Sequence, residues 1–380
     1  MHEHKQNQCK RKVKHRKNVM RLIIFCITVG IAFMFTYYQN LRKEIYARQK
    51  WLETVLTGEK KWILENQGPE GEIYMNGSKA GDVNPYFACM AALGLLAETK
   101  NCPITETEKK AVGRYLDWHT GILLETDGKM GIYRKESGKL IYKEKADSED
   151  GYLGMYLFLM GKYLEKTEST DLPEYWKKGI SLALKKIQSL MQDGITQVSE
   201  ENTTVYLMDN LEVWKGLYEL EHAGLKDVQA IREMRNKLQA QIEKLFWDDA
   251  NQRWRIIENS DLYHQKEFYP DGVAQIYPLI YEFPVKEKKK QKILYDQFTE
   301  KFQWQKLNKK RTGFLWAMTG MAAAQMGDIN NLLEMIRNYE AEYCENRKYP
   351  LYTGEAGWIC MECEKLYSLY ERKIKTGFLV

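Results

Sequence analysis

Asp147-Ser148-Glu149-Asp150-Gly151-Tyr152 runs directly into Leu153-Gly154-Met155-Tyr156-Leu157-Phe158-Leu159-Met160. A knot of carboxylates thus heads a segment too apolar for a surface helix. Helix N-termini favour negative charge, because unpaired backbone N–H groups and the macrodipole point there. Three carboxylates within four residues exceed what a cap requires. The same grammar, an acidic or aromatic head followed by a buried helix, recurs along the chain. The pattern reads as one hairpin of a helical barrel whose helix heads line a cleft.

Working outward, Asn84-Pro85-Tyr86 heads the apolar run Phe87–Leu96, with Pro85 suited to a first helical turn. Val205–Leu217 carries Asp209 and Glu212 at its start, and Phe268-Tyr269-Pro270-Asp271-Gly272 precedes Val273–Leu279. Thr312–Met318 and Thr353–Trp358 head the last two. Before each lies an amphipathic, charged segment: 41–66, one opening at Thr105-Glu106-Thr107-Glu108, 173–192, 227–246, 286–302 and 328–346. Heads at 150, 209, 271, 313 and 355 recur at the spacing of a helix–loop–helix unit, though without a strict repeat. Strand signals are few, Met130–Arg134 with Leu140–Lys143 being one hairpin candidate. The expected fold is therefore all-α, an (α/α)6 toroid of six helical hairpins.

The N-terminus predicts the compartment. Residues 1–21 hold eight Lys/Arg and the single acid Glu3, and no charge then appears until Arg42. The intervening stretch is long enough for a helix to span about 30 Å of hydrocarbon. A basic flank before the span keeps the N-terminus cytoplasmic and places the rest outside. Bulky Phe35, Tyr37 and Tyr38 occupy the place where small residues would mark signal cleavage. The expected division is a basic cytoplasmic tail (1–21), a transmembrane signal anchor (22–40) and an extracytoplasmic barrel domain (41–380), a single-pass protein of the cell membrane. The tail also explains the charge. Without its eight cations and one acid, the chain's 57 Lys/Arg and 52 Asp/Glu leave a near-neutral body with no basic stripe for nucleic acid.

Other chemistries find little footing. Of six His, three lie in the tail, leaving His119, His222 and His264 without metal spacing. Cys360 and Cys363 stand at i, i+3 in an apolar segment and read as buried thiols. The chain has no Gly-x-Ser-x-Gly elbow and no phosphate-binding Gly-Lys-Ser/Thr loop. Neither a metal nor another cofactor is called for.

At the level of motifs the chain resembles the six-hairpin glycosidases over about residues 45–372, and is distantly similar to the family-eight glycoside hydrolases. Tyr269–Leu279 is similar to that family's Tyr-Asp-Ala-x-Arg-x-Pro-Leu stretch, which implies that Asp271 is the general base. Ala146–Tyr152 looks like its Ala-Thr-Asp-Gly-Asp segment, which implies that Asp150 holds the sugar at the cleavage point. The family's acid, a Glu four residues before a Tyr, matches Asp82 before Tyr86, with Glu72 as the alternative.

Glycosidic cleavage needs one protonated carboxyl and one ionised carboxylate, and inverting enzymes hold them about 6.5–9.5 Å apart. Aromatic faces stack on sugar rings and desolvate nearby acids. Asp147, Tyr152, Tyr206, Asp209, Glu212 and Tyr269 are therefore expected to bind substrate, together with Trp316, Tyr352, Glu355 and Trp358. Trp358, like Trp214, suits a core equally well, and Glu212 suits an ordinary first turn. Asp150, Asp271 and Asp209-Asn210 suit plain caps. The reading is a membrane-anchored hydrolase of a surface or secreted polysaccharide acting by inversion, on a neutral or cationic glycan. A polysaccharide lyase and a non-catalytic glycan-binding or polysaccharide-assembly protein are the alternatives.

Overall fold

A computed structural model describes residues 2–77, 81–137, 139–169, 172–258, 267–307 and 313–375. The chain divides into two compact units, one of residues 1–52 with 372–380 and the other of residues 53–371. In the first unit helix α1 begins; it runs unbroken from His2 to Glu65 and enters the second. Its N-terminal part is long and apolar enough to cross a membrane, and Leu22, Ile23, Phe25 and Phe33 are exposed on it.

The second unit is built of helical hairpins. After the end of α1 come α2 (Pro85–Leu95), α3 (Glu106–Glu125), α4 (Glu149–Thr167) and α5 (Glu174–Leu190). Then follow α6 (Leu207–His222), α7 (Gln229–Phe246), α8 (Val273–Ile280) and α9 (Lys288–Phe302). The chain closes with α10 (Thr319–Met326), α11 (Ile329–Tyr339) and α12 (Thr353–Lys375). The odd members are amphipathic and the even members buried, as the sequence pattern requires of an outer and an inner layer. On α5 the buried residues Trp176, Gly179, Ile180, Ala183 and Ile187 follow the 3.6-residue period. On α4 every residue from Glu149 to Gly161 is buried. This is the (α/α)6 toroid.

Local chemistry fixes the helix heads. Asn84 caps α2 by accepting from Tyr86 N at 2.9 Å, with Pro85 next. Thr105 and Glu108 form a capping box on α3. Ser148, not Asp150, caps α4. Neither Asp209 nor Asn210 caps α6, whose N-cap is Tyr206 and makes no side-chain bond. The fifth inner helix begins later than its sequence pattern implied, at Thr319. Trp316 lies in the preceding turn in a left-handed conformation (φ +58), and Thr312 falls outside the described residues.

Glycines let the inner helices approach closely. A Cβ at Gly216 on α6 would stand 2.3 Å from the carbonyl oxygen of Gly154 on α4. One at Gly94 on α2 would stand 2.4 Å from Gly357 Cα on α12. Backbone contact at these points sets the width of the ring. The expected hairpin is present as β2 (Gly131–Glu136) and β3 (Lys139–Lys145), and β1 (Asp82–Val83) pairs with β2 to make a three-stranded antiparallel sheet. It leads straight into Asp147 and so flanks the heads of α2 and α4.

Candidate active site

Because every second helix runs the same way, the N-termini of the inner helices gather at one end of the barrel. There they surround a cavity of about 320 Å³. Each inner hairpin contributes to it. Asn84, Tyr86, Phe87 and Met90 come from α2; Asp147, Ser148 and Tyr152 from α4 and its approach. Met208, Asp209 and Glu212 come from α6, Tyr269 and Tyr277 from α8 and its approach. Phe314, Trp316 and Met318 precede α10, and Glu355 and Trp358 belong to α12. Converging helix N-termini direct partial positive charge into the cleft, which offsets part of the repulsion among its acids.

Glu212 is the best-defined group. It is buried, and its Oε1 accepts from Tyr277 Oη at 2.7 Å, from Tyr281 Oη at 3.2 Å and from Tyr86 Oη. Burial outweighs those three donors and pushes the carboxyl up to about 8. Glu212 is therefore protonated near neutrality. Its Oε2 faces the head of α4, where a Cβ at Gly151 would come within 2.7 Å of it.

Asp150 lies beneath the cleft, fully buried. It accepts from Thr196 Oγ1 at 2.7 Å, Ser148 Oγ at 2.8 Å and Gly151 N at 3.0 Å. Burial nevertheless raises it to about 6. Asp209 lines the cleft; burial and then the charges of Asp150 and Glu212 raise its carboxyl well above the usual range. These acids cannot all ionise together. Glu355 accepts from Trp316 N at 3.1 Å and Ala317 N at 2.8 Å, and burial pushes it to about 7. Asp147 stands exposed at the cleft edge.

Of the expected binding residues, Asp147, Tyr152, Asp209, Glu212, Tyr269 and Trp316 line the cleft, as do Glu355 and Trp358. Tyr352 stands outside the cleft lining, half-buried, with its ring against Phe87 and Phe314. Tyr206 is engaged at the entry to α6, bridging to Ile257. Trp214 is core: it stacks on Tyr218 and donates to Gln239 Oε1.

Three of the four residues expected to be catalytic stand elsewhere. Asp82 is on β1, clamped by Arg134 Nε at 2.6 Å and Lys143 Nζ at 2.9 Å. The Arg134 bond, then Lys143, hold its carboxyl below the ordinary value, the opposite of what a proton donor needs. Glu72 is buried away from the cleft, accepting from Tyr74 Oη at 2.8 Å and Glu70 N at 3.0 Å. Asp271 occupies the turn Phe268–Gly272 before α8 and lines a different cavity with Arg253, Gln275 and Lys301. Convergence of all the inner heads on one cleft thus fails at Asp82 and Asp271.

The sequence reading missed Tyr86, Tyr277 and Tyr281 as site residues. The available signal was the i, i+4 spacing of Tyr277, on the apolar helix α8, and Tyr281, at its C-terminal cap. Among the described residues, no group of three or more His, Cys, Asp or Glu is placed to hold a metal ion.

No protein-family model and no curated protein matches the sequence. Solved structures do resemble it. A glycosidase variant superposes with a TM-score of 0.61 at 11% identity, covering 85% of this chain and 98% of its own. A D-mannose isomerase gives 0.56 at 11%, with 84% and 97% covered. An inactive, doubly substituted alpha-1,6-mannanase of Salegentibacter in complex with alpha-1,6-mannotriose gives 0.53 at 9%, with 84% and 99% covered. Agreement over nearly the whole of each neighbour, at so low an identity, is agreement in fold. This chain has the helical-toroid fold that these glycosidases and the isomerase share.

Proposed function

We propose that the protein is a membrane-anchored glycoside hydrolase in which Glu212 donates the proton to the departing glycosidic oxygen. The observation that carries this is the buried Glu212 carboxyl, held at Oε1 by three tyrosine hydroxyls in an acid-rich cleft and pushed up to about 8 by that burial. Hydrolysis also needs a carboxylate that water can reach, and Asp147 at the cleft edge fits that role. Burial, with the nearby Asp150 carboxylate adding to it, keeps Glu212 protonated. In this reading the acid and base roles leave Asp82, Glu72 and Asp271, and the stereochemical outcome is inversion. Tyr152, Tyr269, Trp316 and Trp358 supply ring faces for the sugar. The glycosidase neighbours include one bound to glucose, and the mannanase structures hold mannotriose and mannotetrose, which supports a carbohydrate ligand here.

The apolar part of α1 serves as the anchor, with the basic residues 1–21 cytoplasmic and the barrel outside. A reporter that works only outside the cytoplasm, fused after Val380, should be active and membrane-bound. An inactive fusion reverses the orientation.

For the chemistry, Glu212→Gln keeps an acceptor oxygen for the tyrosines but has no proton to give. With a glycan panel read by new reducing ends, turnover should fall about 10²- to 10⁴-fold while binding persists. Asp147→Asn and Asp209→Asn, run in parallel, identify the base by the larger loss. Wild-type turnover in Glu212→Gln would remove it from the acid role. Interconversion of a free hexose without release of any reducing end would favour an isomerase.

A further inference from the structure

Five large hydrophobic side chains of residues 53–371 are exposed among the described residues, and two of them, Tyr269 and Tyr349, stand at opposite ends of one run of rings. Tyr269 lies 4.8 Å from Trp316, centroid to centroid; Trp316 is 6.3 Å from Phe314, Phe314 5.5 Å from Tyr352, and Tyr352 6.1 Å from Tyr349. The run begins in the cleft, which Tyr269, Trp316 and Phe314 line, and leaves it through Tyr352, which does not. Tyr349 is 69% exposed, so packing alone gives little reason for an aromatic there. Its position is nonetheless defined: a Cβ at Gly313 would stand 2.8 Å from the Tyr349 hydroxyl oxygen, so the ring is laid against the loop that carries Phe314 and Trp316.

From this continuity, and resting on the hydrolase reading above, we infer that Phe314, Tyr352 and Tyr349 extend the cleft into a second binding region for an uncharged oligosaccharide. The acids are grouped at the cleft end of the run, whereas none of its five rings carries a charge. A sugar chain held at the acids would therefore continue over apolar faces, where pyranose C–H surfaces stack and the Tyr349, Tyr352 and Tyr269 hydroxyls meet sugar hydroxyls. The occupant is a glycan of several neutral units rather than a single sugar.

The test uses the full chain in neutral detergent and two ladders, alpha-1,6-manno-oligosaccharides and malto-oligosaccharides of two to seven units. For one ladder, Kd and KM should fall as the chain lengthens. Tyr349→Ala, at an exposed position that leaves the core intact, should abolish that gain, weakening the longest member about tenfold while leaving the shortest unchanged. Tyr349→Phe should retain most of it. If short members are bound and cleaved but length brings no gain, or the gain survives Tyr349→Ala, the extended region is overturned and the hydrolase reading stands. If neither ladder binds wild type or Glu212→Gln, the extended region is overturned for these neutral chains, and the hydrolase reading is decided separately by the glycan panel.

Discussion

The carboxylate of Glu355 holds the backbone of Trp316 in place. Its two oxygens accept from the N–H groups of Trp316 and Ala317, at 3.1 and 2.8 Å, across a turn in which Trp316 has φ +58. A bulky residue rarely occupies that region unless its surroundings over-determine it. The bond joins α12 to the loop before α10, and so sets the ring that faces Tyr269.

Glu355→Gln puts an amide N–H₂ where one backbone N–H now finds an acceptor. Two donors then face each other, a loss of about 1–3 kcal/mol. Trp316 should shift, which intrinsic fluorescence would register, and KM for glycans should rise more than kcat falls. Unchanged fluorescence and KM would mean that the turn holds itself.

Activity should depend on pH through Glu212. A donor must be protonated, and with its carboxyl at about 8 the rate should decline as pH rises through that value. Tyr277→Phe removes one of three donors to Oε1, which stabilise the ionised form, so the alkaline limb should move to higher pH. A limb that stays in place, or moves to lower pH, would contradict the assignment.

Stability should have its own pH course. Glu212 and Glu355 lie at about 8 and about 7 in the folded protein, against about 4.3 for an unfolded glutamate. Between those values the folded state holds protons that the unfolded chain releases, so their contribution is complete below about pH 4.3 and is lost as pH rises towards 8. Glu282, between Lys215 and Lys365, is depressed to about 2 by those two cations; its contribution is present above about pH 4.3 and is lost as pH falls towards 2. The Tm of the full chain should therefore peak at about pH 4. Combining Glu212→Gln with Glu355→Gln should flatten the alkaline side, and a Tm that still falls as steeply would place the titrating groups elsewhere.

Gly216→Ala tests the inner ring. The new methyl would overlap the Gly154 carbonyl of α4, costing about 1–3 kcal/mol if the helices can part at all. Gly121→Ala on α3 meets nothing within 4 Å and should be neutral or stabilising by up to about 1 kcal/mol. Equal effects on Tm would show that the α4–α6 contact is looser than drawn.

What the sequence determined by itself was the layering and the end at which acids gather. Apolar runs such as Leu153–Met160 can only be inner helices, and segments with the 3.6-residue stripe of α5 can only cover them. Hairpins alternating in this way force the even helices to run parallel, and acids at their heads then share one rim. The basic tail and the uncharged stretch after it were equally plain, because composition and length suffice for them. What only the tertiary structure decided was which acids meet and which are neutralised. Asp82 reads as a cleft residue until Arg134 and Lys143, 52 and 61 positions away, clamp it on a strand. Glu212 reads as an ordinary first-turn acid until Tyr86, Tyr277 and Tyr281 bring three hydroxyls to one oxygen. Its proton affinity comes from desolvation, which depends on everything packed around a group and has no local signature in the chain.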